Sequence, residues 1–260
     1  MRTPDAEVRS SGDHPDRAWL GRVRAALDWW EAQPTGTVTS SITGLGAIAA
    51  AEGRISELHG GRPVILTPSA TYATLLALRI LGVGRDDRVL LPEVDWPSTA
   101  AVVELLGGVP VPVAVDPATL TIDPGAAALA HRPGDKALAV SHRPGAAVEV
   151  RALRAAVRDV PILEDCAAAL GDACADGAQV GTLGDLAVLS FGPGKRIDAG
   201  EGGALVLRDT TQHRAALALS AHPVRQALNG LPADARQPAV RPHPAMAVQV
   251  LHALRDGLPS

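Results

Sequence analysis

Lysine is almost missing from this chain. Of 24 basic residues only Lys136 and Lys195 are lysines, and the other 22 are arginines. Aromatic residues are scarce at 2%, too few to build stacking platforms for single-stranded nucleic acid. Net positive charge is lacking too: a formal charge of -4 gives no electrostatic reason to expect nucleic acid as a partner. The two cysteines, Cys166 and Cys174, form no CxxC motif and no Cys/His cluster. That argues against a disulfide framework and against zinc, so no metal is expected. No apolar run approaches the roughly 18 residues of a membrane helix, so no membrane partner is expected either. The opening MRTPDAEVRSSGDHPDRAW carries acidic residues and no apolar core, unlike a secretory signal, and the expected compartment is the cytoplasm.

What remains is a chain of 260 residues with 47% hydrophobic and 20% charged residues, enough to bury a sizeable core. Residues 1–14 are polar and expected to be a flexible N-terminus. PDRAWLGRVRAALDWWE has apolar residues at helical spacing, and AIAAAEGRISEL reads as a second helix. An alternation then sets in. RPVILT, DRVLLPEVD, VPVPVAVD, KALAVSHRPG, VPILED, DLAVLSFGP and GALVLRD read as strands, with helices in TPSATYATLLALRILG, PSTAAVVELLGG and VRALRAAVRD. This pattern predicts an α/β fold with a mainly parallel central sheet and helices on both faces.

In such sheets ligands bind beyond the carboxyl ends of the strands. Lys195 sits there, in SFGPGKRIDAGEGG. The spacing does not fit a phosphate loop, because Leu189 and Arg196 stand where glycine and Ser or Thr are required. A lysine amine can form a Schiff base whereas a guanidinium cannot, and this would explain a lysine kept in an arginine-using chain. The plainer alternative is a surface lysine in a turn. Asp165 ends an apolar strand, where a carboxylate is costly without a partner. It reads either as the partner of a cationic ring nitrogen or as a cap for CAAAL. The Ser69-Ala70-Thr71 turn opens a helix, whose free N–H groups suit a phosphate or a simple N-cap. Trp96 follows a strand and could stack on a flat ligand or pack on its neighbours.

Together these pieces resemble the DegT/DnrJ/StrS aminotransferases, pyridoxal phosphate enzymes of aspartate aminotransferase-like fold type I. The resemblance runs from GLGAIAAAEGRISELHG to DAGEGGALVLRD, roughly residues 44–208, and the order EDCAAALG, VGTLGDLAVLSFGPGK, GEGG is its most specific part. It implies that Lys195 forms the Schiff base with the cofactor and that Asp165 pairs with the pyridine nitrogen. It likewise places Trp96 over the ring, and Ala70, Thr71 and Ser190 at the phosphate. The chain departs from the family pattern at Ala70, Ala168, Gly192 and Gly194.

The resemblance further implies one pyridoxal phosphate-binding large domain over 15–260, with 209–260 a divergent helical tail and the family's small C-terminal domain absent. It implies a homodimer, and a biosynthetic aminotransferase that moves an amino group from an amino acid to a keto-sugar, cyclitol or similar small ketone. The alternatives are a lyase, replacement or decarboxylase reaction on an amino acid, or a non-catalytic partner subunit. For a substrate carboxylate, Arg196 beside the lysine is the first candidate; His222, Arg225, Arg241 and His243 in the tail follow.

Overall fold

In a computed structural model, residues 15–34 and 38–258 are described. The stretch 1–14, expected to be flexible, lies outside them. Strands β1 (Val64–Thr67), β2 (Arg88–Pro92), β3 (Val109–Val113), β4 (Ala137–Ser141), β5 (Ile162–Asp165), β6 (Leu186–Ser190) and β7 (Gly203–Leu207) form a seven-stranded sheet in the order β1-β7-β6-β5-β4-β2-β3. β7 runs antiparallel to both of its neighbours, while β2 to β6 pair in parallel; β1 through β6 therefore all point one way. Their carboxyl ends and the start of β7 share one edge of the sheet.

Burial on both faces explains why the strands read as unbroken apolar runs. VILT, LAVLS and GALVL are buried at every position. Neighbouring residues still alternate between faces, Val64 and Leu66 on one and Ile65 on the other. The Ile65 face packs helices α3 (Ala70–Ile80), α4 (Ser98–Leu105) and α7 (Thr210–Ser220). The opposite face carries α1 (Pro15–Glu31), α2 (Ala47–Leu58) and α9 (Pro244–Ala253) toward β1, and α5 (Pro124–Ala130) and α6 (Val150–Val157) toward β3. Each fully buried leucine, such as Leu66, Leu90 or Leu163, is worth roughly 1.5–3 kcal/mol relative to exposure. A short helix, α8 (Pro223–Leu228), follows α7.

The order of connections positions the site. The chain moves outward from β2 to β3, returns to β4 on the other side of β2, and then moves the opposite way through β5 and β6. The helix after β2 therefore lies on one face and the helix after β4 on the other, which opens a crevice between the two strand ends.

Candidate active site

A cleft of about 500 Å3 opens at this edge. The loops after β1, β2, β4, β5 and β6 line it, and they bring together Ala70, Thr71, Trp96, Asp165, Ser190 and Lys195, which stand up to 125 positions apart in the numbering.

Lys195 is delivered by a tight turn. Its N–H donates to the Gly192 carbonyl at 3.2 Å, Pro193 and Gly194 occupy the central positions, and Gly194 has φ +74°. Proline followed by a residue at positive φ is the signature of a type II turn, so glycine is required at 194. The lysine thus leaves the buried β6 strand within a few residues and remains half-buried at the cleft wall.

Asp165 is the last residue of β5. Its Oδ1 accepts from the Ala167 N–H at 2.8 Å, and its side chain makes no other hydrogen bond among the described residues. Residues 167–171 form turns, so the cap reading reduces to this single bond. Burial pushes the Asp165 carboxyl up and neighbouring Asp95 adds to the rise; the Ala167 N–H, Lys195 and His142 offset only part of it. Among the described residues no basic side chain forms an ion pair with it.

At the other end, α3 begins at Ala70. The Ser69 hydroxyl accepts from the Tyr72 N–H at 3.2 Å, which leaves the Ala70 and Thr71 N–H groups without partners among the described residues. Gly203 of β7 passes beneath this turn. A Cβ on Gly203 would lie 2.6 Å from the Ala70 nitrogen and 2.6 Å from the Ser69 carbonyl carbon. The cradle exists because that Cβ is missing.

Trp96 is 76% exposed. Arg196, by contrast, turns away. Its guanidinium donates to the Leu170 carbonyl and, at 2.8 Å, to Asp172, and with Arg22, His252 and Lys195 itself it lines a groove that adjoins the cleft at that lysine. Arg196 is not among the residues that line the cleft, where the expectation had it meet a substrate carboxylate. The tail candidates are also engaged or elsewhere. Arg225 is buried against Glu52 at 2.6 Å, His222 and His243 cap α8 and α9, and Arg241 lines a further groove with His243.

Asp95, which like Trp96 follows the β2 run in the sequence, also lines the cleft, and four further cleft residues escaped the sequence reading: Ser141, His142, Arg143 and Glu201. These four end or closely follow β4, or stand in the loop before β7, and that position was the available signal. Behind the cleft His142 Nδ1 accepts from the Val148 N–H, so Nε2 carries the proton and donates to Glu164 at 2.9 Å. Burial alone would raise the Glu164 carboxyl; His142 and the Gly184 and Gly181 N–H groups hold it below its ordinary value. Glu164, His142 and Cys166 bring ligand-type atoms within 4.8 Å of one another, and those of His142 and Glu164 are spent on these hydrogen bonds.

Comparison with known proteins gives a consistent result. The chain is 37% identical over 163 residues to an L-glutamine:2-deoxy-scyllo-inosose aminotransferase of Micromonospora echinospora, covering 62% of this chain and 39% of that protein. It is 33% identical over 210 residues to a 3-amino-5-hydroxybenzoate synthase of Amycolatopsis mediterranei, covering 80% and 51%. The crystal structure of a 3-amino-5-hydroxybenzoic acid synthase superposes with a TM-score of 0.74 at 29% identity, over 96% of this chain and 64% of that one. In sequence, this chain thus matches about half or less of the length of these curated relatives. Residues 39–231 match the DegT/DnrJ/EryC1/StrS aminotransferase family, and the chain belongs to it.

Proposed function

We propose that the chain binds pyridoxal phosphate covalently through Lys195 and transfers an amino group from an amino acid to a keto-sugar, cyclitol or similar small ketone. The observation that carries this reading is the convergence of Lys195, Asp165, Ser190, Trp96 and the Ala70-Thr71 turn on one cleft. The residues fit the group. N–H groups without partners among the described residues at the start of an 11-residue helix suit the phosphate, and a half-buried carboxyl that accepts only one hydrogen bond among the described residues suits a cationic ring nitrogen. The names of the relatives point to the substrate class, since one pairs glutamine with a cyclitol ketone.

When bound, the cofactor supplies an electron sink for charge developing at the substrate carbon. Asp165 stays ionised against the ring nitrogen and keeps that sink effective. Ala70 and Thr71 N–H and the Ser190 hydroxyl bind the phosphate and anchor the ring. Trp96 covers one face and excludes water. Lys195 Nζ first holds the cofactor and then moves the proton at the substrate's α-carbon. No helix among the described residues is long and apolar enough to cross a membrane, and the reading is of a cytoplasmic enzyme. Its active form is a homodimer, supported by the open cleft and by exposed apolar side chains near it, Val94 and Trp96; light scattering that finds a monomer with bound cofactor would count against this part.

The test uses the purified chain mixed with pyridoxal phosphate. Yellow protein is expected, with the cofactor's mass fixed on Lys195 by borohydride and lost in Lys195→Ala. Amino acids added singly should release the matching keto acid, without ammonia or carbon dioxide. A protein that stays colourless sinks the cofactor assignment. Ammonia or carbon dioxide release would move the reaction to a lyase or decarboxylase.

A further inference from the structure

Trp96 stands on the loop 93–97 between β2 and α4, is 76% exposed, and belongs to none of the three hydrophobic clusters. The backbone around it is held by polar ties that come from across the crevice. Asp95 accepts from the Ser141 hydroxyl, from Arg143 Nη2 at 3.1 Å, and from the Trp96 N–H at 2.8 Å. Arg143 Nη2 also donates to the Val94 carbonyl at 2.7 Å. Both residues preceding Trp96 are thus held by the end of β4, the neighbour of β2 in the sheet. Ser141 and Arg143 are two apart, so continued strand alternation turns both to the same side. Arg143 Nε is enclosed and has no partner among the described residues: the guanidinium is placed for Asp95 and Val94 at the expense of its own hydrogen bonding.

We infer that Ser141 and Arg143, acting on Asp95, are positioning residues that latch Trp96 in place over the cleft. The latch spans the point where the β2 and β4 connections diverge to opposite faces, which is where the two loops would otherwise separate. Its effect on cofactor binding rests on the pyridoxal phosphate reading above; its effect on the pose of Trp96 does not.

The experiment has two arms. In the cofactor-free chain, the indole N–H resonance of Trp96 is identified by its loss in Trp96→Phe and followed in Arg143→Met and Ser141→Ala. It should shift or broaden in both variants while those of Trp19, Trp29 and Trp30 stay, and Arg143→Lys should restore it in part. An unmoved Trp96 resonance overturns the latch. In the second arm, pyridoxal phosphate affinity is measured by equilibrium dialysis. Arg143→Met should weaken it about tenfold in the wild-type background and by less than about twofold in Trp96→Ala, because coupled residues are non-additive. The same factor in both backgrounds would show that Arg143 acts independently of Trp96 and would overturn the inference. Failure of the unaltered chain to bind pyridoxal phosphate would instead count against the proposed function, with the resonance arm still deciding the latch.

Discussion

An unpaired carboxylate is a liability until its partner arrives, and Asp165 is such a group. Burial and Asp95 hold its carboxyl above the ordinary value, so the folded protein keeps that proton more tightly than the unfolded chain does. Stability then falls as pH rises past the ordinary carboxylate range. In the cofactor-free chain, Asp165→Asn should melt higher than the parent at neutral pH, and the gain should shrink as pH drops toward about 4. Calorimetry across pH tests this, and a variant that melts lower at neutral pH refutes it. The same variant should lose tight cofactor binding. Gly203 is the second sensitive residue. Gly203→Ala puts a methyl 2.6 Å from backbone atoms of the Ser69-Ala70 turn, so a loss of about 1–3 kcal/mol in urea denaturation is expected, with weaker phosphate binding. The place of Asp165 and Lys195 at the cleft was legible in the sequence because one ends an apolar strand and the other stands in the loop that follows one. The ties of Asp95 to Ser141 and Arg143 were not, since they close over 46 and 48 residues and no local pattern marks them.

Strand β5 shows how one element serves two purposes. Its alternation sends Asp165 into the cleft and Glu164 away from it, toward the 181–184 loop, where Glu164 accepts from the Gly181 and Leu183 N–H groups at 3.0 and 2.9 Å and from Gly184. The two carboxyls titrate in opposite directions. Glu164 lies below its ordinary value, so its contribution is present above the unfolded pKa and lost as pH falls through the lowered one. Glu164→Gln leaves one oxygen for several donors and should cost about 1–3 kcal/mol at neutral pH. That deficit should narrow in acid; urea titrations at both pH values read it, and an equal deficit at both would reject the assignment. Strands buried on both faces were readable as apolar runs, and α1 and α2 as helical periodicities. The helix α5 was not read, because PGAAALA is too short and too rich in alanine to show a period, and only its Asp123 cap and following proline mark it.

At the scale of the whole molecule, one buried ion pair ties the C-terminal helices back to the first strand. Glu52 of α2 accepts from Arg225 of α8 at 2.6 Å and, through its other oxygen, from the Leu66 N–H of β1 at 2.9 Å. Burial pushes the Glu52 carboxyl up, and Arg225 offsets part of that rise. Arg225→Ala strands the carboxylate and should cost about 3–5 kcal/mol, whereas Arg225→Met together with Glu52→Met should cost much less; equal losses would show that the pair has no charge to balance. The pairing also answers a problem of association. Among the described residues β1 is the border of the sheet, bonded on one side to β7 alone; it is buried at every position, and a border strand that loses its cover is a template on which another chain can add. By occupying the Leu66 N–H, Glu52 takes one rung of that template out of use, and Arg225 keeps it there. In the single Arg225→Ala variant the rung is freed, so concentrated samples should form intermolecular β-structure on mild heating, visible as turbidity and a new infrared amide band, before the interior of the protein melts.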